Sequence, residues 1–556
     1  MKKLTLPPCC ILAFLAACAA AAPAQEPQRI DTTLEVHDAS PALAVLALEA
    51  AAPQAGAARK AVSLRMVPPQ TGARRAPHEV LAGRPPFSPV PSGPASPALP
   101  QVNTGATMLN VDGMSAHAGL VSGVKGAAGA TDYVQLAGSR LAVYRKSDGA
   151  LLLGPVNGNA VFGGFAGSAG AQACALNNEG ASGVHYDKLA QRWIMTQLAW
   201  AAGAAETGPF YQCIAVSSSS DVLGSYYRYV LELRSATNKV VFADAPKLGV
   251  WPDAYYLSFV LFDTAAGGYR GPRVCGVGRA AMLAGENTTV RCRDLGSGFG
   301  ALLPSDLDGA TAPPEGSPNF LLSMDFSGTG KGDHLLLWRF SFSGNLLSGP
   351  IRVPVAPFTI ACPGSLGGAC IRQAAPGETL HAMGDRLMHR LAYRNFGSHE
   401  AMVVNHTVQQ SGARQDGPTA LRWYEIRDPN GAAALYQQGT HAPDADSRWM
   451  GSIAMDKVGN IALGYNVAGT ASPPGMRYTG RLRSDAPGRM QAEAIVVNGS
   501  GVQVDSLHRW GEQGALATDP GNDCTFWSTR QYVPATGRFT ARTRIASFSF
   551  LNCRQD

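Results

Sequence analysis

The chain has 556 residues, of which 46% are hydrophobic and 15% charged, against about 25% charged in an average soluble domain. That apolar fraction supports a large core and excludes global disorder. The only long apolar stretch is N-terminal, which excludes a polytopic membrane protein, and a net charge of +6 is too weak a field to mark nucleic acid as a partner.

Residues 1–24 have the order of a secretion signal: Lys2 and Lys3, an apolar run from Ile11 to Ala17, then small residues. Two cleavage sites compete. Leu15-Ala16-Ala17-Cys18 has the form of a bacterial lipobox, which would put a lipid on Cys18 and make it the sole membrane attachment. Ala22-Pro23-Ala24 before Gln25 has the form of an ordinary small-residue site. The expected location is therefore secreted, periplasmic or outer-membrane lipoprotein. Residues 25–104 are rich in Ala and Pro and are predicted to be a mostly disordered linker, with a short helix or strand near Leu43–Leu48.

From residue 105 to 556 no long helical periodicity occurs. Short alternating segments are broken by Gly, Asp, Asn and Pro, the pattern of many short strands. A strand, an Asp-led turn and a second strand recur at Asp187, Asp253, Asp385, Asp456 and Asp519, at intervals of 66, 132, 71 and 63 residues. An Asp side chain can bond the backbone two residues on and fix such a turn. The double interval holds a skipped unit near Phe320–Phe340, and Asp132–Tyr144 supplies an earlier one, which makes seven. A four-stranded propeller blade needs about 40–50 residues. The spacing thus predicts an all-β, seven-bladed β-propeller after the signal and linker, a ring that also removes exposed sheet edges. A jelly roll or paired sandwiches are the alternative, but they predict no regular period.

Eight cysteines lie beyond the signal: Cys174, Cys213, Cys275, Cys292, Cys362, Cys370, Cys524 and Cys553. An even number in an exported chain predicts disulfides. The simplest pairing joins sequence neighbours, 174–213, 275–292, 362–370 and 524–553.

Long segments carry a family resemblance. They include Asp132-Tyr-Val-Gln135, Val184-His-Tyr-Asp187, Pro246-Lys-Leu-Gly-Val-Trp-Pro-Asp-Ala-Tyr-Tyr256, Leu391-Ala-Tyr-Arg-Asn-Phe396, Arg448-Trp-Met-Gly-Ser-Ile-Ala-Met-Asp456 and Asp523-Cys-Thr-Phe-Trp527. Over roughly residues 130–553 the chain resembles a largely uncharacterised family of large exported bacterial β-propeller proteins, sometimes labelled sialidase-like. The chain departs from that pattern at Val121-Ser-Gly-Val-Lys-Gly126 and Gly180-Ala-Ser-Gly183, where relatives carry two carboxylates and turn prolines. If those carboxylates serve chemistry, this chain lacks them.

Arginine supplies 36 of the 46 basic residues. Arg394, Arg448, Arg477, Arg481 and Arg509 lie beside Gly or aromatic residues in the last three units, and their planar forks suit carboxylate or sulfate. Trp449, Tyr478 and Trp510 are the matching candidates for stacking on sugar faces, and Asp253 is a further ligand-site candidate. Inter-blade packing is the competing role for these pairs. Tyr393, His399, Glu400 and Glu425 are the candidate acid–base or nucleophilic groups. Asp306-Leu-Asp308-Gly309 resembles the start of a calcium loop but lacks its distal Glu, so no cofactor is expected beyond a possible Ca2+. The expected function is binding of an extracellular saccharide or anionic polymer by a monomer, with glycan cleavage open. The alternative is a non-catalytic cell-surface scaffold.

Overall fold

The computed structural model describes residues 27–50, 108–115 and 123–555, apart from short stretches at 35, 179, 206, 236, 238, 264–266, 366–367, 415, 507 and 512–513. The signal, with Cys18, lies outside the described residues. Seven antiparallel blades follow one another along the chain, at residues 125–157, 183–232, 241–294, 303–359, 388–441, 447–497 and 515–549. Their first strands, Lys125–Ala128, Gly183–Asp187, Val241–Val250, Leu303–Asp308, Met388–Asn395, Ser447–Met455 and Ala515–Thr518, meet in a closed ring about an axis. The structure is therefore an all-β propeller of seven blades. We call the mouth where these strands begin the upper mouth and the other the lower mouth.

Closure comes from the two ends of the described domain. Leu109–Ser115 pairs antiparallel with Arg542–Ser549 and completes blade 7, so early and late chain share one sheet. Blades 4 and 5 are fused further, because their inner strands bond in parallel, Ser305 opposite Leu391 through Asp308 opposite Arg394.

The strands are more uniformly apolar than a half-exposed sheet requires. Phe210–Ser217 and Ile461–Ala468 are buried at every position, because each lies between two neighbouring blades and both faces leave water. The Asp-led turns are mostly as the repeat predicts. The Asp187 carboxylate accepts from the Ala190 N–H at 3.0 Å, Asp456 from Asn460 at 2.9 Å and Asp519 from Gly521 at 2.8 Å. All three close the lower end of a blade. Asp385 does not belong to this set. It precedes the inner strand of blade 5 at the upper end, and the turn of the skipped unit is formed at Asp308 and Gly309 (φ 79°).

Within the predicted linker, residues 28–33 and 37–39 form strands instead of disorder, helix Leu43–Ala50 falls where the sequence predicts a short helix or strand, and residues 51–104 lie outside the described residues. Gln28–Thr33 adds a fifth strand to the rim of blade 3, and His37–Ala39 does the same for blade 2. Helix Leu43–Ala50 follows and packs by the outer strand of blade 1. A bidentate pair from Arg228 to Asp38 (2.8 and 2.6 Å) fixes this strap. Backbone pairing with open edges, not side-chain pattern, orders the segment, so its Ala-rich composition gave little sign of it.

All four disulfides join sequence neighbours: Cys174–Cys213, Cys275–Cys292, Cys362–Cys370 and Cys524–Cys553. They suit a protein matured in an oxidising compartment. Among the described residues no helix is long and apolar enough to cross a membrane.

Candidate functional site

An insertion between blades 4 and 5 covers part of the upper mouth. It carries Cys362–Cys370 and the short strands Ala369–Ile371 and Leu380–His381. Backbone bonds from Glu378 to Gln503 (3.0 Å) and from His381 to His508 (2.8 Å) tie it to the loop leading into blade 7. Beneath it Trp449, Met450 and Trp510 form an apolar plug with the insertion.

Beside this cover, four basic or imidazole side chains from four blades converge on the upper axis. Lys125, His185, Lys247 and His389 line one cleft, and Lys247 also borders an adjoining cleft reached by Arg386. All five are buried. The His185 and His389 rings meet edge to face with centroids 5.5 Å apart. Gly183 lets the first two strands of blade 2 lie close: a Cβ there would fall 2.7 Å from Thr196 Oγ1 on the neighbouring strand, while the Lys125 ammonium of blade 1 is 3.8 Å away. His389 Nδ1 is buried without a hydrogen-bond partner. Burial first, then the positive fields of His185, Lys125 and Lys247, hold the His389 imidazole well below its ordinary pKa, with Asp306 pulling weakly the other way. The groups are packed too tightly for a water molecule to sit among them.

The lower half of the axis is filled by ion pairs. Arg390 donates to Asp306 at 2.7 Å and to Asp308 at 2.6 Å. Lys188 of blade 2 reaches Asp308 of blade 4, and Thr518 of blade 7 donates to the same carboxylate at 3.0 Å. Arg394 of blade 5 holds Asp523 of blade 7 in a bidentate pair whose second bond is 2.7 Å. Burial would raise both Asp306 and Asp308, but Arg390 outweighs it, and both stay far below the usual carboxylate range. Four blades are thereby tied across the axis.

The predicted site residues are not brought together. Arg394, Asp306 and Asp308 belong to the lower network. A calcium ion between the two aspartates is not compatible with this arrangement, because the Arg390 guanidinium already bridges them. Arg448 is 1% exposed and is clamped by Asp444 (2.8 Å) and Glu493 (3.0 Å). Trp449 and Trp510 are fully buried against each other, and Tyr478 stacks on Phe548 at 3.7 Å, so no ring face is open to a sugar. Arg477 bonds Asn498 at 2.6 Å, Arg481 bonds the Asp485 carbonyl at 2.5 Å, and Arg509 lies in the loop bonded to the insertion. Asp253 accepts from the Tyr256 hydroxyl at 3.1 Å in a lower turn. Structural packing and ion pairing within and between blades are the roles these positions fit. Sequence adjacency misled here: successive strand residues point to opposite faces, so Arg448 and Trp449, or Arg477 and Tyr478, cannot line one wall.

The candidate catalytic groups are also dispersed. Tyr393 is buried against Trp251 (4.7 Å) and donates to Glu400 at 2.5 Å. Burial first and Glu400 second push its phenol up, the wrong direction for a nucleophile. His399 stacks on Phe396 at 4.9 Å in the blade 5 turn, and Glu425 is held between Arg427 (2.7 Å) and Gln437 (2.5 Å).

The axial groups Lys125, His185, Lys247, Arg386 and His389 were missed as site residues. One signal was present: His185 and Asp306 each lie two residues before their turn aspartate, so a polar side chain interrupts an otherwise apolar inner strand.

No protein-family model matches the sequence, and no curated protein matches it. Among solved structures, the fold is similar to an ulvan lyase bound to -[GlcA(1-4)Rha3S]-, at 10% identity and TM-score 0.38, covering 81% of this chain and 99% of that one. An α-L-arabinofuranosidase from Fusarium graminearum gives 9% identity and TM-score 0.37, covering 81% and 99%. A mutant Trypanosoma rangeli sialidase gives 8% identity and TM-score 0.33, covering 67% of this chain. The chain spans about half the length of that sialidase (54%). None of these similarities assigns a residue or an activity, so function is argued from the site itself.

Proposed function

We propose that the protein is an exported propeller that binds an anionic extracellular saccharide or polymer at its upper axial mouth. The observation that carries this reading is the convergence of Lys125, His185, Lys247 and His389 from four blades on one cleft, with Arg386 beside it. Two lysine ammoniums gathered with imidazoles in a poorly hydrated cleft concentrate counter-charged ligands. A carboxylate or sulfate there would accept charge-assisted hydrogen bonds, each contributing about 1.5–3 kcal/mol. The anionic ligand is the one expected from the sequence; the side chains that meet it are different ones. The groups considered for glycan cleavage lie apart from this cleft, which favours binding without turnover.

The test is calorimetric titration of sulfated and uronate-containing oligosaccharides against their neutral counterparts. The anionic set should bind, and the Lys125→Ala/Lys247→Ala double variant should lose at least tenfold in affinity. Equal binding of neutral and anionic sugars, or no binding by either, would move the assignment to a cell-surface scaffold.

A further inference from the structure

His389 occupies an unusual place in the upper mouth. It belongs to the inner strand of blade 5, it is 8% exposed, and its Nδ1 has no hydrogen-bond partner. Charged or titratable groups from four other blades surround it. Blade 1 offers Lys125, blade 2 His185 and blade 3 Lys247, all lining the same cleft. Blade 4 offers Asp306, whose Oδ2 lies 3.7 Å from His185 Nδ1. On its own segment stand Arg386, which bonds Asp385 at 2.8 Å, and Arg390, which is committed to Asp306 and Asp308. The imidazole therefore faces a predominantly positive wall.

We propose that an anion entering this throat is accompanied by a proton, which is carried on His389. The inference rests on the anionic-ligand reading above. Within this packed cluster a proton on His389 is opposed by burial and by the neighbouring cations. An anion placed against those cations reverses the local field. A unit negative charge about 5 Å from the ring, at an effective dielectric constant near 20, raises the protonation equilibrium constant by roughly 300-fold. The protonated ring then has two donors, and the orphaned Nδ1 becomes one of them. For the anion to enter, the lysine stems must swing aside, since no water-sized space separates the groups. Each stem has four rotatable bonds, which makes that movement inexpensive compared with moving a strand.

Binding that takes up a proton must weaken as pH rises. Inorganic sulfate is the probe, because it stays fully ionised across the range and cannot itself supply or accept the proton. Its affinity should fall severalfold per pH unit between pH 5.5 and 7.5, approaching tenfold per unit where uptake nears one proton per ion. Titration in buffers of different ionisation enthalpy measures that uptake directly. In His389→Gln the uptake should vanish, while His399→Gln, in the blade 5 turn away from the cleft, should keep it. The imidazole proton resonances of the wild-type protein, followed with and without sulfate, give a second readout should His389→Gln fail to fold. The His389 resonance should titrate at higher pH with sulfate bound. Sulfate binding with no proton uptake, or uptake lost in His399→Gln and kept in His389→Gln, would overturn the inference and leave the anion reading standing. No sulfate binding at any pH would overturn both.

Discussion

Replacing Asp308 by Asn tests whether ion pairs, not packing alone, hold the lower axis. Asp308 is 1% exposed and accepts from Arg390 at 2.6 Å, from Thr518 at 3.0 Å and from Lys188. Asn has nearly the same volume, so the substitution opens no cavity; it removes one negative charge from a site that keeps both cations. Breaking a buried pair by removing one partner costs about 3–5 kcal/mol, and that loss is expected at pH 7 from urea unfolding. The acid limb gives a second, independent magnitude. Asp306 and Asp308 both have folded-state pKa values far below the unfolded value near 3.9. Their stabilisation is therefore complete above that value and is lost as pH falls below it. In that window the unfolded chain holds a proton that the native side chain lacks, and each such group contributes a slope of about 1.4 kcal/mol per pH unit. Unfolding measured from pH 5 to pH 2 should give a limb shallower by that amount in Asp308→Asn. A loss under about 1 kcal/mol at pH 7, together with parallel acid limbs, would refute the charge argument and assign the axis to packing.

Arg448→Ala should lower stability by about 3 kcal/mol, since it leaves Asp444 and Glu493 without their shared guanidinium, while sulfate affinity stays unchanged in calorimetry. A large affinity loss at intact stability would return Arg448 to the ligand site. The Cys524→Ser/Cys553→Ser double variant frees the C-terminal helix Leu551–Gln555 by opening a loop of 29 residues. The loop-entropy relation places its cost at about 3.6 kcal/mol, measured as a shift in urea midpoint.

What the sequence determined by itself was local. The Asp-led turns at Asp187, Asp456 and Asp519 are made within a few residues, so their period revealed the blades. The disulfides span only 8 to 39 residues and were legible for the same reason. The strap at residues 28–39 was hidden because its order comes from edges supplied by blades 2 and 3, far along the chain. The axis was hidden most completely. Lys188 meets Asp308 across 120 residues and Thr518 across 330, and Lys125, His185, Lys247 and His389 come from four separate blades. Only ring closure places such residues within reach. Which of the many basic side chains face the axis, and which lie between blades, is fixed by strand orientation in the closed ring, a property of the tertiary structure that residue order does not carry.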